Sequence, residues 1–114
     1  MDEAREKRWK LVRRLDQGEP PAGIDLSIRD LANAAWEVQA LRDLLPFQSM
    51  NRLCFDAGDR PYERPMGGFI IVDTTGRLAV HRGDPYIGAR TTVTLETTEP
   101  ADAIQGLLRV FGWL

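Results

Sequence analysis

Two side chains in this sequence could form a nucleophile and base, Cys54 and His81, each the only one of its kind. A thiolate is activated when an imidazole lies within hydrogen-bond reach of the sulfur. Nothing in their spacing joins them, and a lone buried cysteine ordinarily serves as packing. A metal would need His81 to converge with several of Asp56, Asp59, Asp73 and Asp84. Asp-Thr-Thr-Gly at 73–76 and Asp-Pro at 84–85 are turn sequences, which gives those carboxylates a backbone role instead. Gly67-Gly68 and Gly83 lack a phosphate-cradling spacing, no glycine-rich turn leads directly into a helix, and no serine sits in a nucleophile elbow. The sequence therefore assigns no catalytic residue, no metal ligand and no cofactor, and leans away from an enzyme.

What remains are residue types suited to recognition. Arg60, Tyr62, Arg64 and Met66 lie in the twelve-residue stretch from Asp56 to Gly67. Tyr86, Ile87 and Arg90 lie in or beside a second stretch, Gly83 to Ala89. Tyr, Arg and Met are enriched at protein interfaces. The first stretch leads into Phe69–Val72 and the second leaves Leu78–Arg82. If those two runs form an antiparallel hairpin, both loops sit at the same end of it and are neighbours. The competing reading has the tyrosines capping the ends of the core. Trp36, on the polar side of a helix, is a further candidate contact; the alternative is that the first helix covers it.

The elements that must position these residues are organised around residues 66–83. Two apolar runs flank the polar turn Asp73-Thr74-Thr75-Gly76, the pattern of a β-hairpin. Phe69–Val72 has no polar face, so it belongs mid-sheet, covered at least partly on both sides. The hairpin register stays open, and with it the choice of side chains that share a face with Leu78 and Val80. A short strand precedes the hairpin, with Leu53 and Phe55 on one face. Another follows, Arg90–Thr97, where alternation sends Val93 and Leu95 inward and a threonine-lined face to water.

Helical periodicity appears in three places. Residues 2–17 carry a stripe of Ala4, Leu11 and Leu15, widened by Trp9 and Val12, before Gly18–Gly23 turns the chain. Residues 28–45 place Ile28, Leu31, Ala34, Ala35, Val38, Leu41 and Leu45 on one side, with Ser27 as N-cap and Pro46 as the stop. The last helix starts at Thr98-Glu99-Pro100 and has two apolar stripes. One is Ile104, Leu107, Leu108, Phe111 and Leu114; the other is Ala103, Gly106, Val110 and Trp113. The first suits the sheet. The second meets Ala34 and Ala35 of the second helix, or its own copy in a homodimer through the last helix. The expected fold is a single α+β domain over residues 1–114. It is a two-layer sandwich with an antiparallel sheet of about four strands, near residues 50–56, 68–73, 77–82 and 91–97, and three helices on one face, in the order αα-ββββ-α. Its core should include Phe69, Ile71, Leu78, Val80, Leu95, Leu107 and Phe111.

Composition bounds the function. With 43% hydrophobic and 28% charged residues the chain is ordinary globular protein. No run of about 18 apolar residues offers a membrane span, and the charged start leads into no signal-like core. With one cysteine, these features point to the cytoplasm. Thirteen of the 15 basic residues are arginine, which suits a GC-rich bacterial or phage coding bias. Nucleic acid is not the expected partner: a net charge of −2 argues neither for it nor for a strongly acidic DNA mimic, although residues 1–14, with six basic and three acidic side chains, carry +3 and leave −5 for the rest. The reading that follows is a small protein–protein interaction domain: an inhibitor, an immunity- or antitoxin-like partner, an anti-defence protein or an accessory subunit. One alternative is a small-molecule-binding or catalytic domain with its ligand between sheet and helices. Another is an RNA-binding domain that uses the basic first helix.

Overall fold

The computed structural model describes residues 2–15, 26–86 and 90–114. The expected turn at Gly18–Gly23, the end of the first helix beyond residue 15, and Ile87 lie outside them. Among the described residues, four helices and five strands follow in the order α1 (Glu3–Arg13), α2 (Leu26–Trp36), α3 (Gln39–Arg42), β1 (Leu45–Ser49), β2 (Arg52–Asp56), β3 (Pro65–Val72), β4 (Leu78–Arg82), β5 (Thr92–Thr97) and α4 (Pro100–Val110). The strands form one antiparallel meander, β1-β2-β3-β4-β5. Side chains of α1, α2 and α4 share a single buried cluster with Leu53, Phe55, Ile70, Val72, Leu78 and Val80. The class is the expected α+β sandwich, with helices on one face and one more strand than the periodicity showed.

That fifth strand is β1, which the sequence assigns to the end of a long second helix. The helix instead stops at Trp36. Val38 is extended (φ −99°, ψ 109°), and α3 is only four residues long. The Arg42 guanidinium donates to the Trp36 carbonyl, and Val38 N–H donates to the Ala35 carbonyl, so the freed end of α2 is satisfied by a tightened turn. Leu41 and Leu44 still reach the helix-side core, whereas Leu45 is buried outside that cluster, on the same strand face as Phe47. Burial at helix-like spacing is therefore reached by a different backbone path. Pro46 does not end a helix; it sits in an edge strand opposite Phe55, where the missing N–H costs nothing in the ladder. Ser27 lies inside the first turn of α2 rather than capping it.

Helix α1 is capped by the Asp2 carboxylate, which accepts from Arg5 N–H at 2.8 Å. It ends at Arg14 in the left-handed region (φ 56°), with Leu15 N–H reaching back to the Lys10 carbonyl. Its buried face is Trp9 and Val12, whereas Leu11 and Leu15 stay 55% and 54% exposed. The stripe Ala4/Leu11/Leu15 is thus displaced from the core. The indole buries more apolar area than those side chains, and its Nε1–H donates to the Leu44 carbonyl at 3.2 Å.

The hairpin register pairs Ile70 with Val80 and Val72 with Leu78 on the helix side. Phe69 and Ile71, expected in the main core, face the other way. Asp73 organises the turn, accepting from the Thr75 hydroxyl at 2.6 Å and from Arg77 N–H and Thr75 N–H, and these bonds, the hydroxyl's foremost, hold its carboxyl below the usual carboxylate range. In β5 a bulge interrupts the alternation. Val80 pairs with Leu95 but His81 with Val93, so Thr94 is the extra residue. Leu95 therefore packs against the core while Val93, expected inward, is turned out and is 48% exposed.

Helix α4 opens with Pro100 in its first turn and closes at Gly112 (φ 78°), with Trp113 N–H bonded to the Leu108 carbonyl. Both stripes reach the sheet: as expected, Leu107 and Phe111 lie over Gly68 of β3, where an added Cβ would meet Phe111 Cε1 at 3.1 Å and Leu107 Cδ1 at 3.2 Å, but the second stripe does not turn away from it. A Cβ on Gly106 would sit 2.8 Å from Leu95 Cδ2 and 3.4 Å from Val80 Cγ2, so the Gly106 side faces the sheet rather than Ala34 and Ala35. Phe111, at the last turn, is half-buried, and Trp113 is 41% exposed.

Candidate functional site

The helix-free face of the sheet is not bare. Phe47, Cys54 and Phe69 are buried there as a second, smaller cluster, with Tyr62 and Ile71 packed against it. Strand alternation places them: Phe47 pairs with Cys54, Cys54 with Phe69, and Phe69 with His81. The Tyr62 ring meets Phe47 at 5.0 Å on one side and Tyr86 at 5.1 Å on the other. Tyr62 donates to Ser49 Oγ at 2.7 Å, and the Tyr86 hydroxyl donates to the Tyr62 carbonyl. Arg52 lies over the Phe69 ring at 5.5 Å and donates to the Pro85 carbonyl at 2.8 Å. Ser49, Met50, Arg52, Tyr62 and Tyr86 enclose a cleft of about 450 Å³.

The cleft is built on two left-handed residues. Met50 (φ 56°) forms the two-residue turn between β1 and β2 with Asn51, and Tyr62 (φ 64°) sits in the 57–64 loop. Non-glycine residues adopt this region only when their surroundings hold them there. Tyr62 is held by its hydroxyl bond and by two aromatic neighbours. Its loop is held by Asp56, a fully buried carboxylate that accepts from Gly58 N–H at 2.7 Å and Arg64 N–H at 2.9 Å. Arg5 grips the same loop from α1, donating to the Gly58 carbonyl at 2.8 Å.

Of the residues singled out in the sequence, Tyr62 and Tyr86 come together and the others do not join them. Arg60 is ion-paired with Glu63 at 3.0 Å, Arg64 donates to the Ala57 carbonyl, and both are exposed on the loop. Arg90 is exposed and does not line the cleft. Trp36 is in the helix layer. Trp9 packs edge-on against it at 5.2 Å, and Arg13 and Arg42 lie over its ring at 4.7 and 4.8 Å, so the first helix supplies its cover. Ser49, Met50 and Arg52 were missed. The strand drawn through residues 50–56 hid a turn, and Ser-Met-Asn-Arg between two apolar runs is the only trace of it.

Cys54 and His81 share this face but cannot act together. Both pair with Phe69, so two strand spacings, roughly 10 Å, and a phenyl ring separate them. Burial pushes the Cys54 thiol up to about 12, only partly opposed by Arg52. His81 stacks flat on Phe69 at 5.0 Å with Nδ1 3.0 Å from Thr91 Oγ1, and burial followed by Arg52 lowers its pKa. Among the described residues no three His, Cys, Asp or Glu side chains gather to hold a metal, and no helix is long and apolar enough to cross a membrane. In the native protein Cys54 should react with iodoacetamide more than about tenfold more slowly than in the denatured chain, because it is fully buried and burial disfavours its thiolate. Mass spectrometry of timed aliquots reads this; near-equal rates would show an accessible thiol.

Residues 3–110 match the model of a family of unknown function, DUF6193. The chain belongs to the DUF6193 family. The match runs from the first residue of α1 to the last of α4, so the tyrosine cleft and its supports lie within the DUF6193 unit. No curated protein and no solved structure matches the chain.

Proposed function

We propose that this DUF6193 domain is a protein–protein interaction module that binds its partner at the tyrosine cleft. The observation that carries the reading is the pairing of Tyr62 and Tyr86 from two separate loops, beside a Met50 side chain that is 84% exposed. Large rigid rings fixed by hydrogen bonds lose little entropy on binding, and exposed methionine adapts to a partner's shape. The cysteine usage, the arginine bias and the missing catalytic constellation favour a cytoplasmic protein of bacterial or phage origin. Its natural roles are inhibitor, immunity- or antitoxin-like partner, anti-defence protein or accessory subunit. The basic first helix offers less to RNA than its charge suggests. Arg5 is engaged with Asp2, Asp59 and two carbonyls, and Arg13 with Asn33 and the Trp36 ring.

Capture from native lysate, with quantitative mass spectrometry against the Tyr86→Ala variant, tests the reading. A stoichiometric protein should be retained by the wild type and lost from the variant. Tyr86→Ala should weaken the purified complex by about 2 kcal/mol, some thirtyfold, with little change in melting temperature because Tyr86 is 42% exposed. Tyr62→Ala should weaken binding as well, with a stability loss of about 1–2 kcal/mol from its contact with Phe47. Binding that survives both substitutions would make the tyrosines purely structural.

A further inference from the structure

Met50 separates two grooves. On its far side lies a second groove of about 380 Å³, walled by Arg8, Leu11, Val12, Arg14 and Gln48 as well as Met50 itself. Among the described residues, the linings of the two grooves together hold three arginines (Arg8, Arg14 and Arg52) and no carboxylate. None of the three forms an ion pair among the described residues. Two are nevertheless fixed in place: Arg52 by the Pro85 carbonyl, and Arg14 by Gln48 Oε1 at 3.0 Å. Arg14 Nε is buried without a hydrogen-bond partner. Apolar side chains stand between these cations, with Met50 84% and Leu11 55% exposed. A chain of net charge −2 has thus gathered unpaired cations around a protruding apolar ridge.

We infer that the two grooves flanking Met50 form one docking surface for an acidic, amphipathic segment of a partner protein. The inference rests on the protein-binding reading above and specifies the partner's chemistry. Large apolar side chains of the segment fill the grooves on either side of Met50, and its Asp and Glu side chains meet Arg8, Arg14 and Arg52. A carboxylate is the matching group because a guanidinium held at fixed orientation presents paired N–H donors to its two oxygens. Charge complementarity of this kind sets orientation and speeds association, while the apolar contacts supply most of the affinity. Single-stranded RNA would also use tyrosine and arginine, by stacking bases on open ring faces. Here the Tyr62 ring is enclosed between Phe47 and Tyr86, which leaves Tyr86 as the one partly open ring, and the most exposed apolar side chains of the two grooves are Met50 and Leu11.

Selection of a random displayed library of peptides about 12 residues long, on the immobilised full chain, tests this, because such peptides span a groove of this size. The expected consensus has net negative charge and at least two large apolar residues. Its synthetic peptide should bind about tenfold or more weakly to Met50→Asp and to Arg8→Glu, and more weakly at high salt than at low. A neutral or basic consensus overturns the inference, as does an acidic one indifferent to both substitutions. Displacement of the peptide by a fluorescent single-stranded RNA of similar length overturns it in favour of nucleic acid. A non-acidic consensus that still depends on Tyr86 sinks only the acidic-partner inference and leaves the interaction module standing. Failure to enrich any sequence counts against both.

Discussion

Replacing Trp9 by alanine is expected to cost about 3–5 kcal/mol, the range for a large aromatic removed from a packed core. Trp9 is 1% exposed, lies 5.2 Å from Trp36 and 6.0 Å from Phe55, and donates to the Leu44 carbonyl. One indole therefore joins α1 to α2, to β2 and to the segment entering β1. Its loss leaves a cavity and an unpaired carbonyl together. Against a total stability of about 5–15 kcal/mol for a domain of this kind, the variant should be largely destabilised. Trp113→Ala is the control. Trp113 is 41% exposed and touches Phe111, so its removal should cost no more than about 1 kcal/mol. Urea unfolding of the two variants beside the wild type measures the difference. Equal midpoints for Trp9→Ala and Trp113→Ala would show that α1 does not dock through its indole.

The prominence of Trp9 also shows where the sequence was legible and where it was not. The hairpin around Asp73–Gly76 announces itself because its turn chemistry and its apolar runs agree, and α4 because proline and glycine bound a dense apolar pattern. The first and second helices misled for one physical reason. Periodicity reports that a residue is buried, not which backbone path buries it. Leu41 and Leu44 reach the core through a short helix and the turn after it, while Leu11 is displaced by a larger neighbour two positions away. The Val93 error has a different origin. A one-residue bulge at Thr94 inverts everything before it, and threonine in a strand carries no mark of a bulge.

The site was legible in part. That two loops bearing Tyr62 and Tyr86 lie side by side follows from antiparallel connectivity alone, and the rings do meet at 5.1 Å. The third wall, from Ser49 to Arg52, comes from a turn lacking the glycine that usually marks one, with Met50 accepting a left-handed backbone instead. Nor could sequence show that the arginines flanking the loop tyrosine, Arg60 and Arg64, would be outside the cleft while Arg52, a strand residue, would enter it. Loop residues have no periodicity from which direction can be read.

Asp56 is where fold and site depend on the same atoms, and its substitution should disturb both. Its carboxylate bridges the two ends of the 57–64 loop, taking Gly58 N–H and Arg64 N–H on Oδ1, while Ala57 N–H closes the loop base on the Arg64 carbonyl at 2.9 Å. Asp56→Ala leaves two backbone donors without their acceptor in a buried setting. At about 1–3 kcal/mol for each such donor, partly recovered by local loosening, the expected loss is about 2–4 kcal/mol. Asp56→Asn retains an acceptor at Oδ1 with no charge to keep buried, so it should lose roughly half as much. The loop carries Tyr62, so its release should also open the tyrosine cleft. Two measurements follow: unfolding midpoints for both variants, and the rate at which a glutamate-specific protease cuts after Glu63 under native conditions. Asp56→Ala should be cut markedly faster than the wild type, with Asp56→Asn between them. If asparagine proves as damaging as alanine, or if cleavage at Glu63 is unchanged by either, the carboxylate's hydrogen bonds are not what hold Tyr62 in place.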